Sequence, residues 1–166
     1  LSRSHPGFVK CLFELEVPEV AEGMVEVMSV SREAGDRTKI AVWSKNDKVD
    51  CVGACVGIRG SRVKGVVKEL QGEKIDIIRW SEAIEEYIQA ALSPAEVSSV
   101  KILSHEEKKV EVVVSDDQLS LAIGKNGQNV RLASKLTGWS IDIRSKKEVV
   151  KEKLEANMGE NSTEAP

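Results

Sequence analysis

The stretch "AIGKNGQNVRLASK" at residues 122–135 decides the fold, because it sets two glycines three residues apart between two helical patterns. The stretch "CVGIRGSRVKGVVK" at residues 55–68 has the same arrangement. Both stretches contain Lys and Arg, and neither contains an acidic residue. One such glycine spacing is uninformative in a chain of 166 residues with 12 glycines. Two of them in equivalent surroundings are informative.

The two stretches belong to an internal repeat of the chain. Gly57 aligns with Gly124 at an offset of 67 residues, since 124 − 57 = 67. One residue then drops out, and "LQGEKIDI" (70–77) aligns with "LTGWSIDI" (136–143) at an offset of 66. A repeat of this length predicts two similar folding units in tandem.

Each repeat begins with a predicted helix and a hairpin. Helical patterns cover residues 5–17 and 81–92, the second of them stopped by Ser-Pro. Alternating apolar residues on either side of "REAGDRTK" predict two antiparallel strands within 23–44, and residues 97–115 predict the same around "SHEEKK".

The rest of each repeat is helix, glycine turn, helix and strand. The first helix starts near Asp50 or Asp117, acids suited to a helix N-terminus. The second helix is stopped by Gly72 or Gly138 and leads into the strand "KIDII" or "SIDI". The sequence therefore predicts an α+β fold of two units, each α-β-β-α-α-β with a three-stranded sheet packed on helices.

The predicted domain boundaries follow from the repeat. The first unit covers residues 1–80, the second covers 81–146, and a C-terminal tail covers 147–166. The join between the units is short and lacks a Gly/Ser-rich linker, which predicts a fixed relative orientation. In the tail, "KKEVVKEKLEANM" predicts a marginal helix and "GENSTEAP" (159–166) predicts disorder.

Composition narrows the class of protein. Apolar residues make up 41% and charged residues 31% of the chain, which is typical of a globular protein. No apolar run is long enough to cross a membrane, and "LSRSHPGFVK" lacks a signal-peptide core, so we expect a cytoplasmic protein without membrane contact. Because the chain starts abruptly, we expect it to be a fragment of a longer protein.

The cysteines and histidines do not predict a metal site or a disulfide framework. Cys11, Cys51 and Cys55 are an odd, small set, and the two histidines are distant from one another. We expect Cys51 and Cys55 to be buried apolar residues, and we expect no cofactor or metal.

Net charge is −3, yet both glycine stretches are basic, and this pattern favours nucleic-acid binding. Glycines let a sugar–phosphate backbone approach the main chain, and the helix that follows directs free N–H groups toward phosphate. A tight turn between helices explains one glycine in each stretch but, on this reasoning, not two. The predicted RNA contacts are Gly57, Ile58, Arg59, Gly60, Ser61, Arg62, Lys64, Gly124, Lys125, Asn126, Gly127, Gln128, Asn129 and Arg131.

These motifs carry a family resemblance. The two glycine stretches, with "HPGFVKCLFELEVPEV", "REAGDRTKIAVWS" and "GEKIDII", resemble the tandem type II KH domains of the bacterial NusA family over about residues 1–145. KH domains grip about four nucleotides at the Gly-x-x-Gly loop. The chain departs from the family at Ile58, where a proline or polar residue is expected.

The resemblance implies a function. NusA-like proteins bind nascent single-stranded RNA and RNA polymerase and influence pausing, termination and antitermination of transcription, together with other elongation factors. It also implies an RNA-binding groove beside each loop. The "IDI" strands, Ile75–Ile77 and Ile141–Ile143, would line this groove; alternatively, their isoleucines are core residues. We further expect a monomer, with one RNA segment crossing both loops.

The sequence disfavours other classes of protein. Catalysis is disfavoured because the chain has neither a GxxxxGK nor a GxGxxG motif, and "HEEKK" at His105 lacks the second histidine of a zinc protease. A ribosome-associated KH protein usually carries one such unit, whereas this chain has two. A degenerate KH scaffold for protein contacts would lose glycines or charge from its loops. Trp43, Trp80 and Trp139 lie at element ends, which argues against an RRM-type stacking surface.

Overall fold

The computed structural model describes residues 3–162, which form two three-stranded sheets with helices packed against them. The strands are β1 (Glu26–Glu33), β2 (Arg37–Trp43), β3 (Lys74–Arg79), β4 (Ser99–Ser104), β5 (Lys109–Val114) and β6 (Ser140–Ser145). The α-helices of the described residues are α1 (Pro6–Glu16), α2 (Pro18–Ala21), α3 (Cys51–Val56), α4 (Ser61–Glu69), α5 (Ile84–Ala91), α6 (Leu119–Ile123), α7 (Gln128–Thr137) and α8 (Lys146–Ser162).

Both sheets have the same topology. Strands β1 and β2 form an antiparallel hairpin, and β3 pairs in parallel with β2, so that Ile40 lies opposite Ile77. In the second sheet β6 pairs in parallel with β5, and Val112 lies opposite Ile143. A parallel neighbour needs a crossover connection, which helices α3 and α4, or α6 and α7, supply. The predicted α-β-β-α-α-β order is confirmed in both units.

The first sheet is covered on both faces. Ile40 and Val42 pack with Phe13 of α1 and Val66 of α4 in the core of the first domain. The alternate residue Ala41 points to the other face, where it joins the core of the second domain. Because successive strand residues face opposite sides, one strand contributes to two cores.

The second domain therefore packs on the back of the first sheet. Ile78 of β3 lies in the same apolar cluster as Ile88 of α5 and Leu136 of α7. The Ser29 hydroxyl of β1 donates to the Leu136 carbonyl oxygen at 2.9 Å, and the Tyr87 hydroxyl donates to the same oxygen at 3.2 Å. This shared core supplies a physical basis for the fixed domain orientation predicted from the short join.

Some local features differ from the prediction. Asp50 caps α3, and its carboxylate accepts from the Gly53 N–H at 3.0 Å. Asp117 does not cap α6; its carboxylate accepts from the Ser115 hydroxyl at 2.5 Å, and the helix starts later, at Leu119. The one-turn helix α2 was not predicted, because its four residues are too few to show a helical period.

The helix ends after the glycine turns also differ between the units. Gly138 directly ends α7 in the left-handed conformation, as predicted. In the first unit α4 already ends at Glu69, and Gln71 and Gly72 reverse the chain with φ of 60° and 94°. Gln71 takes over part of the role expected of Gly72 alone.

The C-terminal helix is longer than predicted. Helix α8 runs to Ser162 and so includes the first four residues of the stretch predicted to be disordered. The sequence has no proline to break the helix before Pro166. Residues 163–166 of that stretch lie outside the described residues. Among helices within 3–162, none is long and apolar enough to cross a bilayer.

Candidate nucleic-acid interface

The two Gly-x-x-Gly loops have the same backbone conformation. Gly57 has φ 76° and ψ 176°, and Gly124 has φ 79° and ψ 170°. Each is followed by one turn of 3-10 helix whose middle residue is left-handed, with φ 55° at Arg59 and 57° at Asn126. Gly60 ends the first turn with φ 76°. The sequence repeat is thus a structural repeat, and each loop places the start of a new helix directly behind it.

The first glycine of each loop is required by close packing. A Cβ atom on Gly57 would lie 2.7 Å from Arg62 Cγ, and one on Gly124 would lie 2.7 Å from the Asn129 backbone nitrogen. The second glycine faces open space, since a Cβ on Gly60 would meet nothing closer than Lys64 Cε at 3.6 Å. Its positive φ is what demands glycine there.

A tight turn therefore requires both glycines of each loop, and the prediction that it requires only one is wrong. Both glycines of each loop have positive φ, so the turn itself accounts for the pair. The glycines alone do not establish a ligand site. A ligand site is supported instead by the open surface over the second glycine together with the side chains beside it.

The first loop exposes a mixed apolar and basic surface. Ile58 is 84% exposed at the tip, and Arg59, Ser61 and Lys64 are exposed beside it. Arg62 differs, because its Nη1 donates to Glu19 Oε2 at 2.7 Å and to the Ala54 carbonyl oxygen at 2.6 Å. Arg62 thus holds the loop to its own domain, and its guanidinium is already engaged within the protein.

The second loop exposes Lys125 and Asn126, but the predicted contacts Gln128, Asn129 and Arg131 are engaged within the protein. Asn129 is 1% exposed, and its Nδ2 donates to the carbonyl oxygens of Leu92 at 3.0 Å and Ala122 at 2.8 Å. This amide joins α5, α6 and α7, so the structure gives it a packing role and no access to RNA. The sequence did not distinguish Asn129 from the exposed Asn126, because both are asparagines in the same basic stretch.

Gln128 and Arg131 of α7 contact the hairpin turn of the first domain. Arg131 Nε donates to Glu33 Oε1 at 2.5 Å, and Gln128 Nε2 donates to Glu33 Oε2 and to Asp36 Oδ2, both at 2.7 Å. The hydrogen bonds from Arg131 and then Gln128 hold the pKa of Glu33 below its usual range. Glu33 is therefore an anion at neutral pH, next to a loop predicted to bind one.

Sequence reasoning missed Glu33 and Asp36. They lie 98 and 92 residues from their respective partners Arg131 and Gln128, and no periodicity or motif links positions so far apart. Only the packing of α7 on the first sheet brings them to the second loop.

The isoleucines of the first edge strand and the aspartate between them have different surroundings. Ile75 and Ile77 are half-buried and pack on the core of the first domain, beside α3. Asp76 points to the opposite face, where it accepts from Arg37 at 2.8 Å and from Lys39 at 3.0 Å. Ile75, Asp76 and Ile77 therefore do not line one surface together, as the resemblance had implied, because alternate strand residues face opposite sides.

The second edge strand follows the same pattern. Ile141 and Ile143 pack against the second core, and Asp142 accepts from Arg144 Nε at 3.1 Å. Asp142 and the two isoleucines therefore also face opposite sides of their strand.

The cysteines are placed as expected for apolar residues. Cys51 and Cys55 are buried in the first core, whereas Cys11 is exposed. Burial raises the pKa of the Cys55 thiol to about 12, with the nearby Cys51 adding to the effect. Within residues 3–162, no group of three or more His, Cys, Asp or Glu side chains is arranged to hold a metal ion.

Two α-β-β-α-α-β units, each with a Gly-x-x-Gly loop between its central helices, define a tandem type II KH protein. Residues 3–80 match the model of the NusA-like first KH domain, and residues 84–151 match that of the NusA-like second KH domain. The chain belongs to the NusA-like KH family.

Curated relatives agree with this assignment. The chain is 62% identical over 148 residues to the transcription termination/antitermination protein NusA of Halalkalibacterium halodurans, over 89% of this chain and 38% of that protein. It is 59% identical over 145 residues to the protein of the same name from Bacillus subtilis, over 87% of this chain and 39% of that protein. The chain thus spans about two fifths of the length of these relatives.

The fold is also found in a solved structure. The crystal structure of APE1850 superimposes with a TM-score of 0.58 at 23% identity, covering 84% of this chain and 97% of that chain. At this identity the likeness concerns the fold alone.

Proposed function

We propose that the chain binds single-stranded RNA through both Gly-x-x-Gly loops, as the RNA-binding part of a factor in transcription termination and antitermination. The observation that carries this proposal is the repeated loop whose second glycine opens to solvent beside exposed cations, Arg59 and Lys64 in one copy and Lys125 in the other. The names of the curated relatives support the biological setting.

The loop geometry suggests how a strand is held. Its phosphates lie over Gly60 or Gly127, where the missing side chain allows close approach to the first N–H groups of α4 or α7. Arg59 and Lys125 then neutralise phosphate charge. The exposed Ile58 side chain offers an apolar surface to a ribose or base, which a charged tip would not.

The finer parts of the proposal rest on the family. The RNA is the nascent transcript, the protein partners are RNA polymerase and other elongation factors, and the chain works in the cytoplasm as a monomer. The relatives reported above give no support to a ribosome-associated role. A scaffold that has lost RNA binding is disfavoured because both loops keep their glycines and their cations.

The test places acids in each loop. The variants are Ile58→Asp with Arg59→Asp, and Lys125→Asp with Asn126→Asp, whose second positions tolerate aspartate because it adopts positive φ more readily than most residues. Lys151→Asp with Leu154→Asp, both on exposed positions of helix α8, lowers the charge by the same three units and serves as the matched control. Affinity is measured by fluorescence anisotropy with an unpaired RNA of about twelve nucleotides.

We expect each loop variant to lose about 100-fold in affinity, since two linked sites act together, and the control to stay near wild type. The wild-type log–log salt slope should be about −0.7 per phosphate neutralised. Unchanged RNA binding by a folded protein with both loops altered would refute the proposal.

A further inference from the structure

The two loops share a backbone conformation but differ in what lies beside them. Behind the first loop, Ser61 and Lys64 of α4 are exposed to solvent. The equivalent positions behind the second loop are Gln128 and Arg131, one repeat of 67 residues later. Both of these donate hydrogen bonds to carboxylates of the first domain. The second loop is therefore partly neutralised by a neighbouring domain, and the first is not.

The contact lies at the rim of the site and not in the core. Arg131 is 44% exposed and Glu33 22% exposed in their side chains. A hollow is lined by Glu33, Asp36, Lys125, Asn126, Gln128 and Arg131, and so joins the acidic turn directly to the exposed part of the loop. A group entering this hollow can reach Arg131 without unfolding either domain.

Exposed ion pairs exchange partners at little cost, because water already screens their attraction. A phosphate that settles on the second loop meets the same donors, Gln128 Nε2 and Arg131 Nε, that Glu33 now occupies. Phosphate and carboxylate are both anions with oxygen acceptors, so the two compete for one set of donors.

We propose that Glu33 and Asp36 of the first domain are internal counter-ions of the second RNA-binding loop, which an RNA phosphate displaces from Arg131 and Gln128. The first domain thereby sets the affinity and the salt dependence of the second. This inference rests on the proposed function of the loops.

The displacement has a measurable consequence for salt dependence. Binding a phosphate to a free arginine releases a condensed cation from the RNA. When the arginine is already paired, the freed carboxylate remains beside the strand and holds a cation in return. The wild-type chain should therefore release about one ion fewer than its number of phosphate contacts predicts.

The test neutralises the turn while keeping its shape, with Glu33→Gln and Asp36→Asn together. The matched control is Glu106→Gln with Glu107→Gln, in the β4–β5 turn at the equivalent place of the second domain, where Glu107 pairs with Lys109 at 3.0 Å. Affinity for an unpaired RNA of about twelve nucleotides is measured from about 50 to 300 mM KCl.

We expect the turn variant to bind about two- to fivefold more tightly at low salt, with a log–log slope steeper by about 0.7. The control should change neither quantity by a comparable amount. Adding Arg131→Ala to the turn variant should abolish the gain. In the wild-type chain, the Arg131 Nε–H resonance should shift when RNA is added.

Each other outcome counts against a specific claim. The counter-ion role alone would be overturned if the turn variant bound RNA no more tightly than wild type, or if the control gained as much affinity. It would also be overturned if the gain survived Arg131→Ala, or if bound RNA left the Arg131 resonance unmoved. Absence of RNA binding by the wild-type chain would instead reject the proposed function, and this inference with it.

Discussion

Lys39 of the first domain donates a hydrogen bond from Nζ to the Ser93 carbonyl oxygen of the second domain at 2.8 Å. The side chain is 0% exposed and also donates to Asp76 Oδ2 at 3.0 Å. Burial lowers the pKa of Lys39, and the Asp76 carboxylate opposes that shift. A buried ammonium thus joins the first sheet to the segment that follows α5.

Replacing Lys39 with methionine should weaken the attachment of the two domains. Asp76 keeps Arg37 as a partner, but the Ser93 oxygen loses its donor, and a lost buried hydrogen bond costs about 1–3 kcal/mol. Urea unfolding of Lys39→Met checks this loss. Lys101→Met on the exposed side of β4 is the control and should stay within about 0.5 kcal/mol of wild type. A Lys39→Met protein as stable as the control would contradict the role assigned to this contact.

The two glycines of one loop should differ in their tolerance of alanine. At Gly127 the added methyl would lie 4.0 Å from Arg131 Nη1, so Gly127→Ala costs only the positive φ, about 1 kcal/mol. At Gly124 the methyl would clash with the Asn129 backbone nitrogen at 2.7 Å, which only a shift of α7 can relieve. We expect Gly124→Ala to lose at least twice as much unfolding free energy in urea titrations. Equal losses would show that the backbone of α7 yields readily.

A buried ion pair holds the hairpin turn of the first domain. Glu73 is buried, and its carboxylate accepts from Arg32 Nη2 at 3.0 Å, the Thr38 hydroxyl at 2.6 Å and the Gly35 N–H at 2.7 Å. Burial by itself would raise the pKa of Glu73, but the hydrogen bonds from Arg32, Thr38 and Gly35 together hold it below its usual range.

This depressed pKa predicts a loss of stability in acid. The stability that the ionised Glu73 contributes is fully present above the pKa of a glutamate in the unfolded chain, about 4.3. It is lost as the pH falls through the lower pKa of Glu73 in the folded chain. Glu73→Gln should cost about 3–5 kcal/mol at neutral pH, since it leaves Arg32 buried without its counter-charge. The gap to wild type should narrow below about pH 4 in unfolding titrations. Glu14→Gln on exposed α1 is the control, and a gap independent of pH would contradict the ion-pair account.

The thiols should separate by reactivity. Cys11 is exposed, whereas Cys51 and Cys55 are buried and the pKa of Cys55 is raised to about 12. At about pH 8 a disulfide reagent should modify Cys11 rapidly and the other two only as the protein unfolds, because the thiolate is the reactive form. Cys11→Ser should remove the fast phase. Rapid labelling of Cys55 in the folded chain would show that the first core opens under native conditions.

Much of the fold follows from local patterns. Two hairpins, the helix–turn–helix around each glycine pair and the edge strands were all predictable, since strand alternation and helical spacing reveal which face of each element is buried. The elements missed were short or terminal. Helix α2 has four residues, and residues 151–158 of α8 are exposed, so no buried apolar period marks that helix in the sequence.

The position of both loops was predictable from the sequence, but the environment of each side chain in them was not. The basic residues Arg59 and Arg62 are indistinguishable in the sequence, yet one is exposed and the other bonds Glu19. Asn126 and Asn129 differ in the same way, because one lies in the loop and the other faces α5. The position of such residues around a helix tells which of them is buried only when the element that packs against the helix is known.

By itself the sequence determined the repeat, the position of both loops and the family, because these depend on residues close together in the chain. The tertiary structure alone decided that the back of the first sheet is covered by the second domain and that Glu33 meets Arg131. The physical reason is that these contacts depend on how one domain packs on the other, and the spacing of residues along the chain does not determine that packing.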